Sequence, residues 1–160
     1  MRRVLAALAV VVVVASIVTG VLIWRLSRDR GPQLPEISAY SRGHLLRVGP
    51  YRYCAVLNPF DCQNPQTTAD LAVNAREPVQ LSVPPAIARA PWVLLRTYGG
   101  GDAEDEFRSG TTLAVTIPTV DAHRGKLTGI VVMLPTLVRD EAGNEFPLPH
   151  AEWSMRIVWS

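Results

Sequence analysis

Trp153-Ser154-Met155-Arg156-Ile157-Val158-Trp159 is the stretch that decides the fold. Trp153, Met155, Ile157 and Trp159 alternate with Ser154, Arg156 and Val158. Side chains of an extended strand point to opposite faces in turn. A period of two therefore predicts a strand with one face on a core. Upstream, Leu127–Val138 is the longest such run and is apolar on both faces, so it should be central, and Pro135 within it calls for a bulge or a local edge. Further runs cover Leu113–Ile117, Trp92–Tyr98, Val79–Val83, Tyr51–Leu57 and His44–Val48. Only Pro85–Arg89, between Pro84 and Pro91, suggests a helical turn. About seven short strands separated by Gly and Pro predict an all-β domain, an immunoglobulin-like β-sandwich.

The N-terminus has a different composition. Residues 4–24, VLAALAVVVVVASIVTGVLIW, carry no charge and no proline. As a helix this run would extend roughly 30 Å, the thickness of a bilayer's hydrocarbon core. Arg2 and Arg3 precede it, and Trp24 and Arg25 close it as an interfacial pair would. No small-x-small exit follows, which favours an uncleaved anchor over a signal peptide. Val21 follows Val18-Thr19-Gly20 where a lipoprotein signal would need cysteine. The expected organisation is a short cytoplasmic N-terminus (1–3), a transmembrane helix (4–24), a linker (25–36) and an extracytoplasmic sandwich (37–160).

Arginines flank the helix on both sides, so charge alone does not orient it. The two cysteines carry the decision. Cys54 and Cys62 lie eight apart in a stretch rich in Pro, Asn and Gln, consistent with a short disulfide-closed loop in an oxidising compartment. Two free thiols, or a redox pair at unusual spacing, are the alternatives. The chain's formal charge is +2, but residues 31–160 hold 11 basic and 13 acidic side chains, a net −2. The basic character belongs to the anchor and its flanks, and the domain has no overall bias toward nucleic acid.

Chemistry is sparse. The sequence lacks nucleophile-elbow, zincin, C-x-x-C and phosphate-loop patterns. Asp121-x-His123 and His150-x-Glu152 each hold two polar groups at strand spacing, but a metal site needs three or four converging ligands. Each pair reads more simply as turn or strand-entry residues. Gly99-Gly100-Gly101 followed by Asp102, Glu104, Asp105 and Glu106 resembles an oxygen-rich loop without calcium-binding spacing. It reads as a mobile, charged hairpin tip. Tyr51, Tyr53, Trp92, Tyr98, Trp153 and Trp159 are either core and edge residues or an exposed docking patch. No catalytic residue, cofactor or metal site is expected.

Four phrases carry a resemblance: ISAYSRGHLLRVGPYRYCAVL (37–57), EPVQLSVPPAIARAPWVLLRTY (77–98), LAVTIPTVDAHRGKLTGIVV (113–132) and PHAEWSMRIVW (149–159). Together they resemble a family of uncharacterised actinobacterial proteins, a domain of unknown function found in mycobacteria and their relatives. The resemblance covers roughly residues 36–159 and implies an envelope location. It brings no activity and no site residues. The expectation is a non-enzymatic, membrane-tethered accessory or interaction module of the cell envelope. Its partners would be the lipid bilayer, through the helix, and another membrane or envelope protein. A carrier of a small envelope ligand such as a lipid is the alternative, and a hydrolase with a scattered site the third.

Overall fold

In a computed structural model of the chain the elements run in order α1 (Arg2–Arg28), β1 (Ile37–Ser41), β2 (His44–Val48), β3 (Arg52–Ala55), β4 (Asn58–Gln63), β5 (Thr68–Val73), β6 (Val79–Ser82), α2 (Pro85–Ala88), β7 (Trp92–Tyr98), β8 (Gly101–Phe107), β9 (Ala114–Ile117), β10 (Val120–Asp121), β11 (Gly125–Arg139) and β12 (Glu145–Trp159). The structure describes residues 2–28, 34–56, 58–140 and 142–160, and within these not the side chains of 2–10, 26–28, 59 and 60. The chain divides into two units, Met1–Gln33 and Leu34–Ser160.

The described part of the first unit is the helix α1. α1 continues through Arg28, so residues 25–28 are helix where a linker was expected. Nothing before Gly31 forbids helix, and Arg and Leu are good helix formers. Every residue from 11 to 25 is exposed. Among the described residues no helix is long and apolar enough to cross a membrane. The span expected over 4–24 extends outside the side chains described, as do residues 29–33 of the expected linker.

The second unit is all-β apart from α2 and consists of two sheets. The smaller has the order β2-β1-β6-β9 and is antiparallel throughout. The larger has the order β4-β3-β12-β11-β7-β8, with β10 beside β11 and β5 beside β12. All its pairings are antiparallel except β5 with β12. One core lies between the sheets. Ile37, Ala39, Leu81 and Ile117 come from the smaller sheet, and Leu94, Ile130, Val132 and Trp153 from the larger. The alternation at the C-terminus holds: Trp153, Met155 and Ile157 are buried, while Arg156 and Val158 are exposed. α2 buries Ile87 and Ala88 in the same core.

Among the described residues there are twelve strands where about seven were expected. β1 and β2 form a hairpin through Arg42-Gly43, both left-handed at φ 53° and 78°. A two-residue turn of that kind matches the twist of paired strands. The bulge falls opposite Leu134 and Pro135 but lies in β12, where His150 is the extra residue, since Leu134 pairs with Ala151 and Pro135 with Pro149. β11 pairs with β7 only as far as Met133. Beyond Pro135 and Pro149, β11 and β12 continue as a two-stranded ribbon to Arg139 and Glu145.

Candidate functional site

The aromatic residues are mostly internal posts. Trp153 is fully buried, and its indole N–H donates to the Pro35 carbonyl at 2.8 Å. Trp159 donates to Leu127 O at 2.8 Å and carries Lys126 Nζ 4.8 Å from its ring centroid. Trp92 stacks on Phe107 at 4.2 Å and donates to Thr112 O at 3.3 Å. The Tyr98 hydroxyl donates to Pro118 O at 3.1 Å, and burial pushes its pKa up. Tyr53 meets Trp153 edge-on at 6.2 Å. A buried aromatic with a polar tip needs a partner for that tip, and these backbone carbonyls provide one. Only Tyr51 in this group is exposed.

Cys54 and Cys62 are bonded to each other across the β3–β4 pair. The two polar pairs stay apart in role. Asp121 Oδ1 accepts the backbone N–H groups of His123 and Arg124 at 2.8 Å each, which holds the β10–β11 turn. Those bonds lower its pKa. His150 is buried at the bulge, edge-on to Tyr53 at 6.4 Å, and its Nδ1 has no hydrogen-bond partner among the described residues. Burial lowers its pKa, and a backbone hydrogen bond at Leu134 opposes that shift. No ion pair joins His150 to Glu152 among the described residues. No group of three or more His, Cys, Asp or Glu that could hold a metal ion occurs among them either.

The glycine-rich segment differs most from the expectation of a mobile tip. Gly99 N–H donates to Lys126 O at 2.9 Å and Gly100 N–H to Arg124 O at 2.8 Å, so this turn is bonded to the β10–β11 turn. A Cβ on Gly100 would lie 3.1 Å from the Arg124 carbonyl oxygen, which leaves little room for a side chain. The acidic run that follows is the strand β8, at the edge of the larger sheet. Its residues alternate. Ala103 and Phe107 pack on the core, and Asp105 between them pairs with Arg96 at 2.5 Å. Asp102, Glu104 and Glu106 are exposed on the other side. The ion pairs of the described residues are Arg96–Asp105, Arg124–Asp121, Arg139–Glu145 and Arg156–Asp70, so those three carboxylates belong to none.

Beside this edge lies a groove of about 750 Å3. The protruding ribbon contributes Pro135, Leu137 and Pro147, the sheet contributes Val93 and Met133, and Glu104 and Glu106 stand on the β8 side. Leu137 is 69% exposed, the most exposed large apolar residue of this unit among the described residues. Arg108 also lines the groove, next to the end of β8. The groove's walls come from the bulged hairpin and an acid-rich strand, so no short motif announces it. The nearest sequence signals were Pro135 inside a long strand and the acidic residues after Gly101.

The family model described as "Protein of unknown function (DUF2771)" matches residues 30–158. The chain is 54% identical over 162 residues to the uncharacterized protein Rv0875c of Mycobacterium tuberculosis, an alignment covering 99% of this chain and 100% of the relative. It is equally similar, with the same coverage, to the uncharacterized protein Mb0899c of Mycobacterium bovis. No solved structure matches.

Proposed function

From a chain that belongs to the DUF2771 family of proteins of unknown function, and whose site is an open groove near a strand edge that is unpaired among the described residues, we propose a membrane-tethered, extracytoplasmic interaction module of the cell envelope. The observation that carries this proposal is the groove. It is external and apolar, with carboxylates on one side, a form that suits contact with another macromolecule. Support for the tether comes from α1. Val11, Val12, Val13 and Val14 are 54–63% exposed at consecutive positions, so that turn of the helix is apolar on every side. A helix hydrophobic all round needs a large protein core or a bilayer around it. The Cys54–Cys62 bond supports an oxidising compartment, hence a domain outside the cytoplasm. A non-enzymatic role is supported by the structural uses of Asp121 and His150 in a turn and a bulge.

The immunoglobulin-like subtype belongs to the same proposal, supported by two sheets around one core. The alternative, a carrier of a small apolar ligand, has the volume of the groove in its favour. Against it stand the carboxylates on one side of the groove, while the space between the sheets is occupied by the core.

The full-length tagged chain, crosslinked in intact cells and purified in detergent, should bring down at least one membrane or envelope protein. Recovery of none refutes the module. Labelling intact cells with an impermeant thiol reagent tests the topology. Labelling of Cys54 and Cys62 that appears only after reduction fits an external disulfide, and labelling that requires lysis overturns the external location.

A further inference from the structure

We propose that the open edge of β8 is a strand-addition site for an extended segment of a second protein, with Lys or Arg at alternate positions and an apolar side chain placed in the adjoining groove. This inference rests on the interaction-module proposal and names the chemistry of the partner.

Three features converge. First, β8 pairs with β7 alone among the described residues, so its other edge offers free backbone donors and acceptors. Such an edge can accept a strand from another chain. Second, Asp102, Glu104 and Glu106 project from one face at a period of two, exposed and outside every ion pair described. A strand added here would place its own alternate residues beside them. Third, Glu104 and Glu106 also line the groove whose far wall is Pro135, Leu137 and Pro147. The groove lies over β7 and β11, inboard of β8, so an apolar side chain of the added strand enters it by passing between or beside Glu104 and Glu106.

Charge decides which strand fits. Like charges directly opposite one another destabilise a strand pair, and opposite charges stabilise it. A second copy of this chain would set one row of carboxylates against another, so self-pairing at this edge is opposed. An acidic edge can serve only to prevent aggregation. Here, however, the acidic face is continuous with an apolar groove, and Asp105, the one carboxylate turned inward, already has its arginine. Arg108 lies next to the end of β8 and favours an acidic residue or chain terminus there.

The test uses the full chain in lipid nanodiscs and a fluorescein-labelled peptide in which Lys and Val alternate, read by fluorescence anisotropy. The peptide should bind, with affinity falling as salt is raised from low to physiological strength. Glu104→Gln with Glu106→Gln should weaken it by about tenfold or more, and Leu137→Asp should weaken it independently. A Glu104→Lys, Glu106→Lys variant should instead prefer a peptide alternating Glu and Val. All the substituted positions are exposed, and unchanged circular dichroism would confirm that each variant is folded. Failure of the wild-type chain to bind the Lys/Val peptide, or binding that the carboxylate variants leave unchanged, overturns the inference. Recovery of a crosslinked membrane partner in that case would leave the module intact and move its contact surface elsewhere. Saturable uptake of a fluorescent fatty acid, competing with the peptide and unaffected at Glu104 and Glu106, would overturn it in favour of the carrier.

Discussion

Trp153→Phe removes one hydrogen bond from the centre of the domain while keeping an aromatic ring in place. Trp153 is 0% exposed, and its N–H donates at 2.8 Å to Pro35 O, in the segment just before β1. Loss of the smaller indole ring forfeits about 40 Å2 of buried apolar contact, or about 1 kcal/mol at 25 cal/mol per Å2. Leaving the Pro35 carbonyl without its donor adds about 1–2 kcal/mol. The expected cost is about 2–3 kcal/mol, a large share of the 5–15 kcal/mol typical of a domain. Trp92→Phe is the control. Trp92 is equally buried but donates at 3.3 Å, so its hydrogen bond contributes less, and about 1–2 kcal/mol is expected. Urea unfolding of the 34–160 unit, followed by circular dichroism, should show the Trp153 variant with the lower midpoint. With an m-value of about 1–3 kcal/mol per M, its shift from wild type is about 0.7–3 M. A Trp153→Phe cost below about 1 kcal/mol, or no larger than that of Trp92→Phe, would refute the assignment of Trp153 as the residue that ties the entry segment to the core.

Reducing the Cys54–Cys62 bond should cost about 2–3 kcal/mol, the loop-closure entropy of a short loop, and a urea midpoint unchanged by reductant would count against that. Gly100→Ala should destabilise by about 1–2 kcal/mol, because its Cβ would crowd a backbone oxygen that has little freedom to move. In hydrogen exchange the Gly99 and Gly100 amides should be protected by their bonds to Lys126 and Arg124, whereas rapid exchange at both would restore the mobile-tip description. His150 has a lowered pKa in the fold, so the unfolded chain binds its proton more readily. Stability should therefore fall as pH drops below about 6.5 toward the folded-state value, and His150→Phe should flatten that part of the curve. Asp121 is also depressed, but as an acid its contribution is present above the unfolded carboxylate pKa near 4. That contribution is lost as pH falls further toward the folded value, a loss that Asp121→Asn should remove.

The strands legible in the sequence were short apolar runs bounded by Gly, Pro or other turn residues. His44–Val48 and Trp92–Tyr98 match β2 and β7 end to end, and the run 127–138 lies within β11. The strands missed are those in which pairing overrides composition. β5, Thr68–Val73, has Thr68 and Asp70 on its exposed side, and it is held by parallel pairing with a strand more than eighty residues later. No local window contains that partner. β4 holds Pro59, which is tolerated because β4 is an outer strand of its sheet. The sequence left the aromatics open between core and exposed patch, and the hydrogen-bond acceptors of those that are buried are backbone carbonyls far away in sequence, which no side-chain pattern encodes.

The site was hidden for a related reason. Gly101–Phe107 contains four carboxylates in seven residues, a composition that disfavours a strand on propensity alone. It forms one because β7 supplies a full ladder on one side and Arg96 neutralises Asp105, while the remaining acids face solvent. The acid-rich composition that conceals β8 as a strand also defines it as an edge. A central strand could not bury Asp102, Glu104 and Glu106, and an apolar edge would invite copies of the chain to pair. Uniform negative charge lets the edge stay open. The bulge at Leu134/Pro135 then carries the hairpin beyond β7, so that Leu137 and Glu106 flank one groove although thirty residues separate them. If that coupling between bulge and edge is correct, restoring regular pairing by deleting His150 should remove the groove and abolish Lys/Val peptide binding while the carboxylates stay in place. A deletion variant that folds and still binds with wild-type affinity would show that the edge acts without the groove.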